Sequence, residues 1–152
     1  MRSKYLPPNL IPASTNIKLL FGPPASGKTT WAISQDESWR VVDLDRIKKT
    51  ISGQNPYEMD KKWMSMALAV RNSIIEKHPG KMIVVATLPE IKVRRRWVEQ
   101  LNADAVLMST PMHECIKRAN NDPNRKNKRK QKALIESWFR TYQPTGTENY
   151  IV

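Results

Sequence analysis

The chain has 152 residues, with 26 Lys and Arg against 14 Asp and Glu, and a net charge of +12. That length suits one domain with one core, and no apolar run approaches the length that would exclude a soluble fold in favour of a membrane span. The charge favours polyanionic partners, nucleic acid or highly phosphorylated molecules, against the alternative of a chain that is simply basic and soluble, and a single cysteine, Cys115, excludes an internal disulfide and suits a reducing cytoplasm. The opening residues MRSKYLPPNLIPAST lack the apolar stretch of a secretory signal.

In chain order, residues 1–15 read as an extended, Pro-rich arm, on the surface or disordered. Residues 16–152 read as one domain. A strand is expected over 17–21, then the octet GPPASGKT at 22–29, then a helix around Trp31 and Ile33. A second strand is expected at 40–44. Asn55-Pro56 with Glu58 resembles a capped helix start, with Met59, Trp63, Met66, Val70 and Ile74 as its buried stripe up to Pro79-Gly80. A third strand follows at 82–88, then a helix burying Val93, Trp97 and Leu101. A fourth strand at 105–109 leads to Thr110-Pro111 and a helix with Met112, Cys115, Ile116 and Ala119 inward. Leu134, Ile135, Trp138 and Tyr142 give the last helix an apolar face, and 146–152 could add a short strand. Alternating strands and helices imply an α/β fold: a central parallel sheet between two helical layers.

The octet fits G-x-x-x-x-G-K-[ST] at every fixed position, between a strand and a helix. A helix that opens there has N–H groups without intrahelical partners, and these attract phosphate oxygens. Gly22 and Gly27 suit a sharp bend or a close approach to the ligand. Pro23 and Pro24 have no N–H, so the anion nest falls to the residues from Ala25 and Ser26 through Gly27 to Thr30. Lys28 is expected on the β- and γ-phosphates and the Thr29 hydroxyl on Mg²⁺. ATP and Mg²⁺ are therefore the expected cofactors.

Asp43 and Asp45 fall at the carboxyl end of the second strand, where ligands of parallel sheets sit. Phosphoryl transfer uses a base for the attacking hydroxyl and a carboxylate near the metal. The pair can divide these roles, with Asp45 as base and Asp43 near Mg²⁺ and substrate. The alternative is that they only decorate a helix N-terminus. Residues 117–132, KRANNDPNRKNKRKQK, hold eight basic residues and one acid. They read as a solvated face, or as a lid whose cations close over the triphosphate or grip a nucleic-acid backbone. Arg118, Arg125 and Arg129 are its candidate arginines, and spacing does not rank them. Of Arg94, Arg95 and Arg96 only one can face a ligand from a helix.

GPPASGKTTWA, VVDLDRIKKTI and STPMHECIKRA together resemble the kinase domain of bacteriophage-type polynucleotide kinases and their small P-loop relatives, over roughly 17–142. The D-x-D element is also similar to that of shikimate-type kinases. The resemblance implies an ATP-dependent kinase acting on a nucleic-acid 5′-hydroxyl, with Lys28 and Thr29 at the phosphates and metal and Asp45 as general base. It implies that Lys48 contacts a substrate phosphate, that Arg118 contacts the nucleotide and that Arg125 is a catalytic lid arginine. Where those kinases carry Asp-Thr-Asn after the third strand, this chain has Ala86-Thr87-Leu88, which leaves Thr87 as the polar substrate contact. A nucleotide or small-molecule kinase is the runner-up. The reading from another class is a nucleic-acid-binding accessory protein that binds or hydrolyses ATP without transferring phosphate.

Overall fold

The computed structural model describes residues 4–151. The first strand, β1, runs over Ile17–Phe21. Its side chains alternate between two faces: Ile17, Leu19 and Phe21 enter one apolar cluster and Leu20 the other. A strand buried on both faces belongs inside a parallel sheet. The elements that follow are α1 (Lys28–Ile33), β2 (Arg40–Asp43), α2 (Leu44–Ser52), α3 (Lys62–Lys77), β3 (Met82–Ala86), α4 (Ile91–Leu101), β4 (Asp104–Met108), α5 (Met112–Asn121), α6 (Lys128–Thr141) and β5 (Asn149–Ile151).

The five strands form one sheet in the order β2-β3-β1-β4-β5, and every pairing is parallel. Helices cover both faces, as the alternating pattern implies. β1 lies between β3 and β4, with Leu19 opposite Val84 on one side and Ala105 on the other. The loops after β1, β2, β3 and β4 thus gather at the carboxyl edge, beside the point where strand order reverses. No described helix is long and apolar enough to cross a membrane.

Several expectations shift. The arm is anchored: Leu6 and Leu10 are buried in the larger cluster. Its backbone is held by Trp97 Nε1 on Lys4 O at 2.9 Å and by Gln100 Nε2 on Pro7 O at 2.6 Å. Residues 1–3 of the arm fall outside the described residues. Asn55 does not start a helix. Its side chain accepts from Tyr57 N at 3.1 Å, a local turn that competes with helix, so α3 begins only at Lys62. The buried face of α3 is Ala67, Arg71 and Ile75, one residue round from the expected stripe, and Met66 is 51% exposed. Met112 and Leu134, expected inward, are also exposed. Thr110 does not cap α5, because its hydroxyl is bonded to Ser26 O at 2.8 Å.

Arg94 is the member of the arginine triplet that turns inward, but it faces carbonyls rather than a ligand. It donates to Leu88 O (2.8 Å), Pro89 O (3.2 Å) and Gln143 O, and pairs with Glu148 at 3.6 Å. One buried guanidinium thereby ties the β3–α4 turn to the loop before β5. The final strand is confined to three residues.

Candidate active site

The loop after β1 takes its shape from two close approaches. A Cβ on Gly22 would meet Met108 O at 3.0 Å, and one on Gly27 would meet Arg118 Nη1 at 2.6 Å. Gly27 also has φ of 93°, in the left-handed region. Ala25 holds φ of 60°, an uncommon conformation for a residue with a Cβ. The Ser26 carbonyl accepts from both Thr110 Oγ1 and Arg118 Nη1, at 2.8 and 2.7 Å. Two hydrogen bonds from β4–α5 and α5 therefore fix the apex of the loop.

Lys28 opens α1 and is buried. Its ammonium donates to Gly22 O at 2.9 Å, Pro23 O at 2.6 Å and Ser26 Oγ at 3.4 Å. Burial pulls its pKa down to about 8, against the opposing pull of Asp43. The ammonium is folded back on its own loop, and the carbonyls there are weaker partners than a phosphate oxygen would be.

Asp43 ends β2 and caps α2 without an intervening residue. Its Oδ1 accepts from Asp45 N at 3.0 Å, and its Oδ2 accepts the Thr29 hydroxyl proton. The two sequence-separated oxygen donors are thus side by side. A hydroxyl, one carboxylate and phosphate oxygens form the hard, sparse ligand set that suits Mg²⁺, and Thr29 and Asp43 could hold that ion. Among the described residues no group of three or more His, Cys, Asp or Glu offers an all-protein metal cage.

Asp45 stands one helical step further. Its side chain is half-exposed in the cleft; partial loss of water there and the neighbouring Asp43 carboxylate raise its pKa, while Lys48 and Arg125 oppose the rise. Lys48 Nζ lies 3.6 Å from Asp45 Oδ1, so the lysine expected on a substrate phosphate is paired with the candidate base. The Cys115 thiol, pushed up to about 11 by burial, is inert behind the loop.

The basic run is not one unit. Residues 117–121 end α5 and 128–132 begin α6, which leaves 122–127 as the connecting segment. Arg125 in that segment is held by Asp122 (3.3 Å), by Gln131 Oε1 (2.7 Å) and by the face of Tyr57, 4.4 Å away. Asn55 Nδ2 reaches Asn124 O at 2.7 Å, so the α2–α3 and α5–α6 connections meet across the cleft.

These groups line one cleft of about 1340 Å³ at the carboxyl edge of the sheet. It brings together Ala25, Ser26, Gly27, Lys28, Thr29, Thr30, Asp43, Asp45, Lys48, Thr87, Arg118 and Arg125. Arg129 is not among its lining residues. Thr87 reaches the cleft rim, and its carbonyl accepts from Trp138 Nε1 at 2.6 Å. Leu88 beside it is buried with φ of 32°, so an apolar residue stands in the left-handed conformation at this wall. Sequence reasoning missed Tyr57, Gln131, Arg71 and Trp97. Trp97 reads as part of a buried helix face, where periodicity marks burial but not which buried side chain borders a cavity, and Arg71 lies outside the apolar stripe expected on its helix.

The parallel sheet, the phosphate loop at the reversal of strand order and the acidic pair beyond β2 define a P-loop domain with the α/β architecture of kinase-like members of that class. A family profile described as AAA domain matches residues 17–145, and the chain belongs to that family. Similar solved structures include the RNA repair complex of Pnkp1, Rnl and Hen1, at 20% identity and a TM-score of 0.57. That likeness covers 84% of this chain but only 46% of the other. Shikimate kinase from Acinetobacter baumannii in complex with shikimate is similar at 16% identity and a TM-score of 0.55, covering 93% of this chain and 83% of the other. At these identities the likeness is one of fold. No curated protein sequence matches.

Proposed function

We propose that this chain is an ATP- and Mg²⁺-dependent phosphotransferase that moves the γ-phosphate of ATP to a hydroxyl, with a nucleic-acid 5′ end as acceptor. The observation that carries this reading is the junction of β2 and α2. It sets Asp43 on the Thr29 hydroxyl and Asp45 beside it in the same cleft. An ATP-binding loop alone needs no second carboxylate there.

In this mechanism the nest from Ala25 to Thr30 receives the phosphates, and Lys28 exchanges its loop carbonyls for β- and γ-oxygens. Mg²⁺ held through Thr29 and Asp43 would supply charge neutralisation at the phosphates. Asp45 takes the acceptor's proton as the hydroxyl oxygen bonds to the γ-phosphorus and ADP departs. Arg118 anchors the loop and borders the nucleotide, and Arg125 faces the transferring group. Thr87 and Lys48 contact the acceptor. Little covalent work falls to the protein, so positioning and electrostatics dominate the rate.

The nucleic-acid acceptor is supported by the net charge of +12 and by the exposed cations of 117–132. The likeness to a structure of an RNA repair complex points the same way. A second reading, transfer to a small hydroxyl compound, is favoured by the apolar Leu88, Val93 and Trp97 in the cleft lining, with Leu88 standing where a polar group is expected for a polynucleotide acceptor. Incubation with γ-labelled ATP and a panel of 5′-hydroxyl oligonucleotides, nucleosides, nucleoside monophosphates and hydroxy acids separates the two. Label in oligonucleotide is the expected result. Label only in small molecules selects the second reading. Free phosphate release without any labelled acceptor would sink both and leave an ATP-hydrolysing accessory protein.

A further inference from the structure

Arg71 is carried by α3 on the face packed against the core, and only 6% of its surface is exposed. Yet it lines the cleft. A guanidinium this far out of water is normally matched by a carboxylate. Among the described residues Arg71 makes no ion pair. Burial moves its pKa down to about 10, and no acid among the described residues offsets the shift.

Its orientation is set from two sides. The guanidinium carbon lies 5.2 Å from the centre of the Trp97 ring. That ring is in turn fixed by the bond from Trp97 Nε1 to Lys4 O. Along one edge, Nε and Nη2 both donate to Asn72 Oδ1, at 3.1 and 3.0 Å. A guanidinium has five N–H groups. Asn72 takes two and leaves three at the Nη1–Nη2 end, the end whose geometry matches two oxygens of a phosphate or carboxylate.

The position in the cleft matters as much. Arg71 shares it with Asp45 and Glu90 and with the apolar Leu88, Val93 and Trp97, and the Trp97 ring lies against the guanidinium. The ATP phosphates already have their own partners at Lys28, Thr29 and the loop. We propose that Arg71, fixed by Trp97 and Asn72, is the anchor for an anionic group of the phosphate acceptor, so that the acceptor is a hydroxyl compound that also carries a phosphate or carboxylate. This deepens the phosphotransferase reading and rests on it. A nucleotide unit bearing a 3′-phosphate and a small hydroxy acid both satisfy this chemistry.

The test is calorimetry on the full chain saturated with a non-hydrolysable ATP analogue and Mg²⁺, so that the phosphate loop is filled. Inorganic phosphate, adenosine 3′-monophosphate and glycerate are titrated separately, with adenosine and glycerol as uncharged counterparts. Binding of at least one anion by the wild type is expected. R71M should weaken it about tenfold or more, the scale of a lost charge-assisted bidentate contact, with affinity for the ATP analogue unchanged. The stronger of the 3′-monophosphate and glycerate identifies the source of the anion. If melting shows R71M unfolded, R71K keeps the charge but not the fork and should bind several-fold more weakly. Anion binding that is absent in the wild type, or equal in a folded R71M or R71K, overturns the assignment. The two readings fail separately. Arg71-dependent anion binding without label transfer to any hydroxyl rejects the kinase and keeps the site. Undiminished transfer by folded R71M rejects the site and keeps the kinase.

Discussion

Affinity for ATP should fall as pH rises through 8, because the proposed phosphate ligand is a buried lysine. Lys28 is held among carbonyls with its pKa lowered to about 8 by burial. Only its charged form attracts a triphosphate. Nine-tenths of the molecules carry that charge at pH 7, and roughly one in eleven at pH 9. When bound phosphates hold the ammonium charged throughout, affinity therefore drops about tenfold between pH 7 and 9, or about 1.4 kcal/mol. The direction follows from linkage: binding requires proton uptake above pH 8 and none well below it. The measurement is a fluorescent ATP analogue titrated at fixed ionic strength and Mg²⁺ across this range. A parallel K28R series, whose guanidinium does not titrate there, should show a flat profile at whatever affinity it retains. A flat wild-type profile would refute the reasoning, since a phosphate ligand with this pKa must link binding to pH.

Other outcomes follow from the same geometry. D45N should abolish label transfer while leaving ATP-analogue affinity within about twofold; loss through D43N with D45N still active would mean the acids have exchanged roles. G27A forces a Cβ into a left-handed position and displaces Arg118, so it should cost about 1–2 kcal/mol in urea unfolding and weaken nucleotide binding. R94M removes the guanidinium that holds three carbonyls and Glu148, and a loss of about 3–5 kcal/mol is expected by the same measurement. Oligonucleotide affinity should fall steeply between 50 and 200 mM salt if 117–132 grips phosphates, and a salt-independent affinity would exclude that grip.

The parts of the site written in neighbouring residues were the easiest to read. The loop from Gly22 to Thr29 has a fixed internal spacing because one backbone turn must present successive N–H groups. Asp43 and Asp45 were legible because a strand end faces the ligand edge. The α3 stripe failed by one residue. Met66 looked suited to a core, yet Arg71 turned inward because Trp97 and Asn72 give its guanidinium partners. The leucines of the arm failed differently. Pro-rich local sequence marks an extended backbone, but not the groove that receives Leu6 and Leu10.

By itself the sequence determined the strand–loop–helix phosphate site, the α/β alternation and the basic character of the surface. Each depends on local backbone chemistry, side-chain periodicity or charge count. Only the tertiary structure decided that Thr29 meets Asp43, that Arg118 seals Gly27, that Arg125 rests on Tyr57 and that Arg71 borders the cleft without an ion pair among the described residues. These are contacts between segments up to about a hundred residues apart in the chain. Their geometry comes from the order β2-β3-β1-β4-β5, which brings four loop regions to one edge. No spacing rule along the chain encodes which side chains then meet.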